Sequence, residues 1–555
     1  MACVWRSVSA GRPRLCLRHF AEAASLTHFE TLLQSESGAQ KAAKWALENR
    51  KLYKDNKVAW QPLLSRLSGA DASGKEFGHL QKIADVQELI EFVTTLAEEA
   101  HVTQSSFWEK VTQGTRLVYT TETSLEANLE LARLYSSIGA WHQEVFQAVF
   151  ETVEVIEDER GARREKRLRY SDIYSMEVRQ LVLLLAIFGR AGAAARELSF
   201  LATRAFNEAR LRFQEEDPQT EWLNFRTDDM LSIIDSMARF STKNNEPVLR
   251  KFGRERLHPE LLQLGPAKVA SLCSAYASLR WKHDTVFKEV LSAMSEEQEQ
   301  VQRDRVLGVS TQETIKYGCT EMALVADAML VLRMYRGNND WFRWGENFQQ
   351  LMDVLARRLE TGEELQTMAA RPLACAAYAL GRAKKGSETL CQAMLARMMT
   401  LLEKDQADPD GTLAADEFRE GPQDSLERFM FGLAMMGPSK RKEFLNTEWL
   451  REWICNNYYK LSLQDIVKIN RYLVQIRSFD QAYLEVFVDF FIDNMEQLGK
   501  SDVQDLTHTY NHARLGEEAL GRHFFWALGR QFQRQHVKRV SQKRGRARPA
   551  LERIG

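Results

Sequence analysis

One two-helix layout returns along this chain. Apolar residues stand at offsets 0, 3, 10 and 18 in Val269, Leu272, Leu279 and Phe287, in Leu426, Phe429, Met436 and Phe444, and in Ile466, Ile469, Ile476 and Leu484. The first two positions of each set share one face of a 3.6-residue helix, and the last lies past a short break, on a second helix. In the first copy Gly265-Pro266 opens the unit, and Trp281-Lys282-His283-Asp284 makes the break. Partial copies begin at Val86, Asn128, Val178, Leu231 and Val503. One such hairpin cannot bury its apolar face alone, so the pattern calls for stacking. The expected fold is all-α, an α-solenoid of helix-hairpin repeats of roughly 37–50 residues.

The rest of the sequence agrees with that architecture. From about residue 25 to 530 the apolar period is helical, as in Val86-Leu89-Phe92-Leu96 and Leu231-Ile234-Met237. Leu117 to Thr121 is the best candidate strand, and it is short. The eleven prolines include Pro247, Pro259, Pro266, Pro372, Pro422 and Pro438, placed where helices start or stop. Cys273-Ser274-Ala275-Tyr276-Ala277 and Cys375-Ala376-Ala377-Tyr378-Ala379 match, each just before a basic break. Their small residues let paired helices approach closely.

Segments 264–294 and 461–491 resemble heptatricopeptide repeats, and are similar to the helical repeats of FAST-kinase-like, RAP-associated organellar proteins. The resemblance covers 176–206, 229–294 and 424–530. It implies an α-solenoid that handles organellar RNA: stabilising it, processing it, or organising it in ribosomes. No RAP-type α/β module is visible in the sequence, so no nuclease-like activity is implied. The repeats specify a shape and carry over no catalytic residue.

Charge is unevenly placed. The net charge is −1, yet the first twenty residues hold four arginines and no acid. The stretch from Arg530 holds nine cations against Glu552, which leaves the body from 21 to 529 at −13. The Arg- and Ser-containing, acid-free start has transit-peptide composition, which points to the mitochondrial matrix, with a plastid as the alternative. The organisation expected is a targeting segment (1–20), degenerate helical repeats (21–170), a repeat region (171–404), an acidic Asp/Gly/Pro loop (405–423), C-terminal repeats (424–530) and a basic disordered tail (531–555).

Candidate sites are few. In the tail, Arg534, Lys538, Arg539, Lys543, Arg544, Arg546 and Arg548 can neutralise RNA phosphates or an acidic protein surface. The aromatics before them, Phe524, Phe525, Trp526 and Phe532, fit closure of the last hydrophobic face, which terminal repeats need. Residues 406–417 resemble an EF-hand loop, with Asp408, Asp410, Thr412 and Glu417 at calcium-ligand positions, Gly411 at the turn and Leu413 at the apolar position. Gln406 at position 1 and Pro409 depart from it, and an inter-repeat loop is the competing account. Gly69 to Lys75 has phosphate-loop spacing, but Glu76 follows and a helix precedes it, so it reads as a connector. His508 and His512 share a helix face without a third ligand. Cys273, Cys319 and Cys375 read as buried thiols.

No reactive constellation stands out, so the expected protein is not an enzyme and requires no cofactor, calcium being the one candidate ion. The functional expectation is an organellar RNA-binding repeat protein acting in RNA stability, processing or ribosome organisation. The alternatives are a scaffold subunit of a large mitochondrial assembly, with protein subunits as partners, and a calcium-responsive scaffold. No apolar run is long enough to span a membrane.

Overall fold

The computed structural model describes residues 31–33, 38–48, 64–68, 79–83, 85–99, 105–115, 125–137, 151–158, 161–168, 173–174, 176–191, 199–214, 226–240, 261–308, 315–336, 338–339, 342–361, 363–407, 422–437, 442–479, 481–513, 522–531 and 533. The fold is an all-α helical repeat in two compact units that divide between Arg256 and Leu257. Among the described residues no helix is long and apolar enough to cross a membrane.

The first unit contains α1 (Gly38–Glu48), α2 (Val86–Thr94), α3 (Ser105–Gly114), α4 (Leu125–Ser137), α5 (Val178–Ala191), α6 (Ser199–Gln214) and α7 (Thr227–Phe240). Helix α2 starts where Asp85 accepts the Glu88 N–H at 2.8 Å, satisfying one of the orphan donors of its first turn. Then α2 packs on α4, α4 on α5, and α5 on α7. The last pair approaches so closely that a Cβ on Gly189 would lie 2.6 Å from the Ser236 Cα. The turn entering α5 is held by Arg212, buried in α6, which donates to Glu208 at 2.9 Å and to the Met176 carbonyl at 2.7 Å.

The helical pattern of this region has one break. Strands β1 (Glu151–Asp158) and β2 (Gly161–Leu168) pair antiparallel, from Glu151 opposite Leu168 to Asp158 opposite Gly161. The helical period gives no sign of it. Thr152, Val153, Val155 and Ile156 favour a strand, but the partner sequence, Gly-Ala-Arg-Arg-Glu-Lys-Arg-Leu, has no β-branched residue. Residues 117–121, the expected strand, lie outside the described residues.

The second unit alternates first and second helices of each repeat, here termed the A row and the B row. The A row is α8 (Pro266–Ser278), α10 (Cys319–Val331), α13 (Ala370–Ala383), α15 (Leu426–Met435), α17 (Leu463–Gln475) and α19 (Lys500–His512). Each packs on the next. The B row is α9 (Asp284–Leu307), α11 (Trp344–Thr361), α14 (Glu388–Ala407), α16 (Glu448–Asn457) and α18 (Gln481–Asp493); a one-turn helix α12 (Glu363–Thr367) precedes α13, and a two-residue ladder, β3 (Asn338–Asn339) with β4 (Phe342–Arg343), precedes α11. Starts of A helices at Leu426, Leu463 and Lys500 lie 37 residues apart. Those at Pro266, Cys319, Ala370 and Leu426 lie 51 to 56 apart, longer than the sequence pattern indicates, because α9, α11 and α14 run 18 to 24 residues.

The repeated apolar positions form the core. Val269, Leu272, Phe287, Leu426, Phe429, Met436, Ile466, Ile469, Ile476 and Leu484 are all buried. Leu279, at the end of α8, and Phe444, in the turn before α16, are half-buried. Small residues decide the A-row spacing: a Cβ on Gly432 of α15 would sit 2.2 Å from the Ala377 carbonyl carbon of α13, and one on Gly381 would sit 2.4 Å from the Gly432 oxygen. Glycine is required at both places because backbone meets backbone. Between rows, the buried Asn470 of α17 accepts the Tyr483 hydroxyl of α18 at 2.7 Å.

Helix α10 enters the stack through a charged clamp. Its first N–H, that of Cys319, donates to Glu364 Oε2 at 2.6 Å. Arg358 of α11 grips the other oxygen of Glu364 at 2.6 Å and donates to the Tyr317 carbonyl at 2.8 Å. Burial pushes the Glu364 carboxyl up, but the Cys319 N–H and Arg358 outweigh it and hold the group below its ordinary value of 4.5.

Candidate nucleic-acid interface

The A helices of the second unit end in an unusual way. A helix C-terminus most often closes on glycine, the residue for which a left-handed backbone carries no penalty. Here the closing residue is a cation four times: Arg280 (φ 53°), Arg333 (φ 56°), Lys384 (φ 56°) and Arg477 (φ 57°), after α8, α10, α13 and α17. Among the described residues, these are the positive-φ residues other than glycine.

The backbone closure is the same after α8, α13 and α17, and after α10 the Arg333 N–H donates to the Leu330 carbonyl at 3.1 Å. The Arg280 N–H donates to the Ala277 carbonyl at 3.0 Å and the Trp281 N–H to the Tyr276 carbonyl at 2.9 Å. Lys384 and Lys385 repeat this to Gly381 and Leu380, and Arg477 and Ser478 to Val474 and Leu473. After α15 the left-handed residue is Gly437 (φ 67°), and the cation is supplied differently: buried Lys442 donates to the Met436 carbonyl at 2.7 Å. Five of the six A helices therefore carry a cation at the C-terminus, and α19 closes on Ala513 with a right-handed backbone.

Main-chain links place neighbouring ends on one edge. The Gly437 N–H donates to the Lys385 carbonyl at 3.1 Å, and the Lys442 N–H to the Ile476 carbonyl at 3.0 Å. Arg382 reaches the Tyr335 hydroxyl at 3.1 Å. Stacked helices lie about 8–10 Å apart, so Arg280, Arg333 and Lys384 follow one another at one helix spacing, and Arg477, past α15, at two. Arg280, Arg333, Lys384 and Arg477 are exposed. Arg477 lies 3.6 Å from Glu443, while Arg280, Arg333 and Lys384 have no ion-pair partner among the described residues.

A left-handed L-residue costs roughly 1–2 kcal/mol, and a cation at a helix C-terminus returns about 0.3–1 kcal/mol. The dipole therefore offsets only part of the strain. The edge keeps charged side chains where a neutral glycine is the less strained choice.

The neighbouring A-row face is different. Arg428 of α15 pairs with Asp327 of α10 and covers the Tyr378 ring of α13 at 4.6 Å. Tyr378 packs on Phe431 (5.2 Å), and Phe431 on Tyr472 (5.5 Å). Lys468 pairs with Glu427 at 3.6 Å, and Arg471 with Asp505 at 2.6 Å. This face neutralises itself, and the unpaired cations sit on the edge beside it. In the B row, a groove of ≈ 350 Å³ opens between α9 and α11, with Leu291, Met294 and Met322 at its base and Glu299, Asp353 and Arg357 at its rim.

The tail aromatics divide. In the helical stretch 522–531, Phe524 is fully buried, 4.7 Å from Tyr510 and 6.4 Å from Phe491, and closes the end of the stack. Trp526 is 58% exposed with the Arg530 guanidinium 4.6 Å from its ring. The tail cations Arg534, Lys538, Arg539, Lys543, Arg544, Arg546 and Arg548 lie outside the described residues, as does Phe532. So do the calcium-ligand candidates Asp408, Asp410, Thr412 and Glu417, and the Gly69–Lys75 loop; α14 ends at Ala407, one residue beyond Gln406. His508 and His512 are both exposed on α19, and among the described residues no group of three His, Cys, Asp or Glu side chains is close enough to hold a metal ion. Cys273, Cys319 and Cys375 are buried, and burial pushes all three thiols well up, away from the reactive thiolate.

Composition and motif searches pass over the edge cations. The available signal is local: a basic residue directly after the last buried helical position, where glycine is expected. Comparison with protein-family models and with curated proteins gives no match for this chain.

Proposed function

We propose that the chain is a non-catalytic RNA-binding helical-repeat protein, and that Arg280, Arg333, Lys384 and Arg477 contact the phosphates. The observation supporting this is the fourfold choice of a strained cation at one repeated backbone position. A row of charges at one or two helix spacings suits a polyanion, and most nucleic-acid affinity comes from phosphate neutralisation. The exposed Trp526 adds a ring on which an unpaired base can stack. The composition of residues 1–20 favours a mitochondrial setting, with a plastid as the alternative. RNA stability, processing and ribosome organisation are the roles this chemistry serves.

A scaffold role in a mitochondrial assembly is the second reading. The groove between α9 and α11 favours it, since an apolar base with a charged rim suits a protein side chain.

Titration of the full chain with labelled single-stranded RNA at several salt concentrations tests the first reading. The comparison is with Arg280→Gly/Arg333→Gly/Lys384→Gly/Arg477→Gly. Glycine removes the charge and relaxes the backbone, so the variant keeps or raises its Tm. Four lost contacts at about 0.7 each make the salt slope shallower by about 3, with RNA affinity down at least tenfold. Unchanged affinity and slope would sink the RNA reading and leave the scaffold.

A further inference from the structure

The B row carries the opposite chemistry at the C-terminal end of the unit. Tyr459 is 72% exposed, Tyr458 40% and Val486 59%. Tyr458, in the 3-10 turn that follows α16, packs edge-on to Phe490 of α18, 5.2 Å between ring centres. The exposed stripe of α18 runs Ala482, Val486, Asp489 and Asp493, at helical spacing. The exposed stripe of α16 begins with Glu448 and Glu452 and leads to Tyr459. Asp489, Asp493, Glu448 and Glu452 have no ion-pair partner among the described residues. An acidic surface floored by aromatic rings repels phosphate and accepts guanidinium and ammonium groups, which pair with the acids and lie over the rings.

We propose that this surface, Tyr458, Tyr459, Val486, Phe490, Asp489 and Asp493, is the docking site of the chain's own basic segment, residues 534–555. Charge complementarity is the first argument: that segment holds eight cations and one acid. Proximity is the second. The stretch 522–531 packs through Phe524 on Phe491, so the basic segment follows a helix that touches the one carrying Asp489 and Asp493. Its 22 residues reach up to roughly 70 Å when extended. A short tether gives millimolar effective concentration, so the segment in cis outcompetes a free basic peptide of equal affinity. Docking there shields the segment from polyanions until one displaces it. The inference stands apart from the RNA reading, because the surface would hold a basic segment whatever the edge cations contact.

Zero-length carboxyl-to-amine cross-linking of the full chain at low salt tests it, using a mixture of isotope-labelled and unlabelled protein to separate links within a chain from links between chains. The expected result is a link within one chain from Asp489 or Asp493 to Lys538 or Lys543. It falls at least tenfold in 0.5 M salt and at least threefold in Tyr458→Ala/Tyr459→Ala. Trypsin then removes the segment at least fivefold faster from Asp489→Lys/Asp493→Lys than from the unaltered chain. Links only between chains would make the occupant a second copy and overturn the proposal. No links, or equal trypsin rates at low salt, also overturn it.

Discussion

In the A row, Gly432 of α15 leaves 2.2 Å between an added Cβ and the backbone of α13; in the B row, α9 and α11 stand far enough apart to leave an open groove of ≈ 350 Å³. The same hairpins build both rows. The difference lies in residue size: Ala374, Ala376, Ala377, Ala379 and Gly381 on α13 bring backbones together, while B-row faces carry Gln, Glu and Arg that remain hydrated. Close packing fixes the spacing of the A-helix ends, and with it the spacing of the edge cations. The looser row keeps surfaces that other chains or chain segments can fill. One row sets the ruler and the other offers the sockets.

The comparison breaks most sharply at Gly432. Gly432→Ala forces α13 and α15 apart, an overpacking that costs about 3 kcal/mol, read as a fall in urea midpoint. Gln350→Ala at the rim of the B-row groove changes stability by less than about 0.5 kcal/mol. Equal effects would mean that the two rows are equally tolerant. Smaller and opposite in sign, Arg280→Gly alone stabilises by about 0.5 kcal/mol, the left-handed strain relieved less the helix-end charge lost. Thermal unfolding measures it, and destabilisation would mean that the cation is there for the cap alone.

The smallest effect depends on pH. Glu364 has its folded pKa held down, so its contribution is present above the ordinary value of 4.5 and lost as pH falls through the depressed folded value. The Tm difference between the unaltered chain and Glu364→Gln is therefore largest near neutrality and closes in acid. A constant difference from pH 7 to pH 3 would show that the carboxylate charge does not matter at the start of α10.

Much of the stack was readable in the sequence, because large apolar residues at fixed offsets report burial directly. Ile466, Ile469, Ile476 and Leu484 all lie in the core. Helix α10 was harder to see as a unit. It buries Cys319, Met322, Ala323, Val325, Ala326, Ala328, Met329 and Leu330, so burial runs round most of the helix and leaves no single apolar stripe to read. The β1–β2 hairpin escaped because its second strand is charged and lacks strand formers. The edge cations escaped for another reason. Their meaning resides in a backbone angle, and an Arg after a helix looks the same in sequence whether φ is −60° or +57°. Leu-Arg-Trp, Leu-Arg-Met and Ile-Arg-Ser at helix ends, with no glycine beside them, are the hint the sequence holds.

The Arg428–Asp327 pair has one further consequence. It joins α15 to α10 across the top of α13, and burial raises the Asp327 carboxyl while Arg428 pulls it back toward the charged form. In most helical arrays each unit feels only its immediate neighbours, so the ends fray while the middle holds. Here the first and third members of a trio share a bond, and the middle one is clamped by its ring under the guanidinium. The bond couples the unfolding of α10, α13 and α15 beyond nearest neighbours.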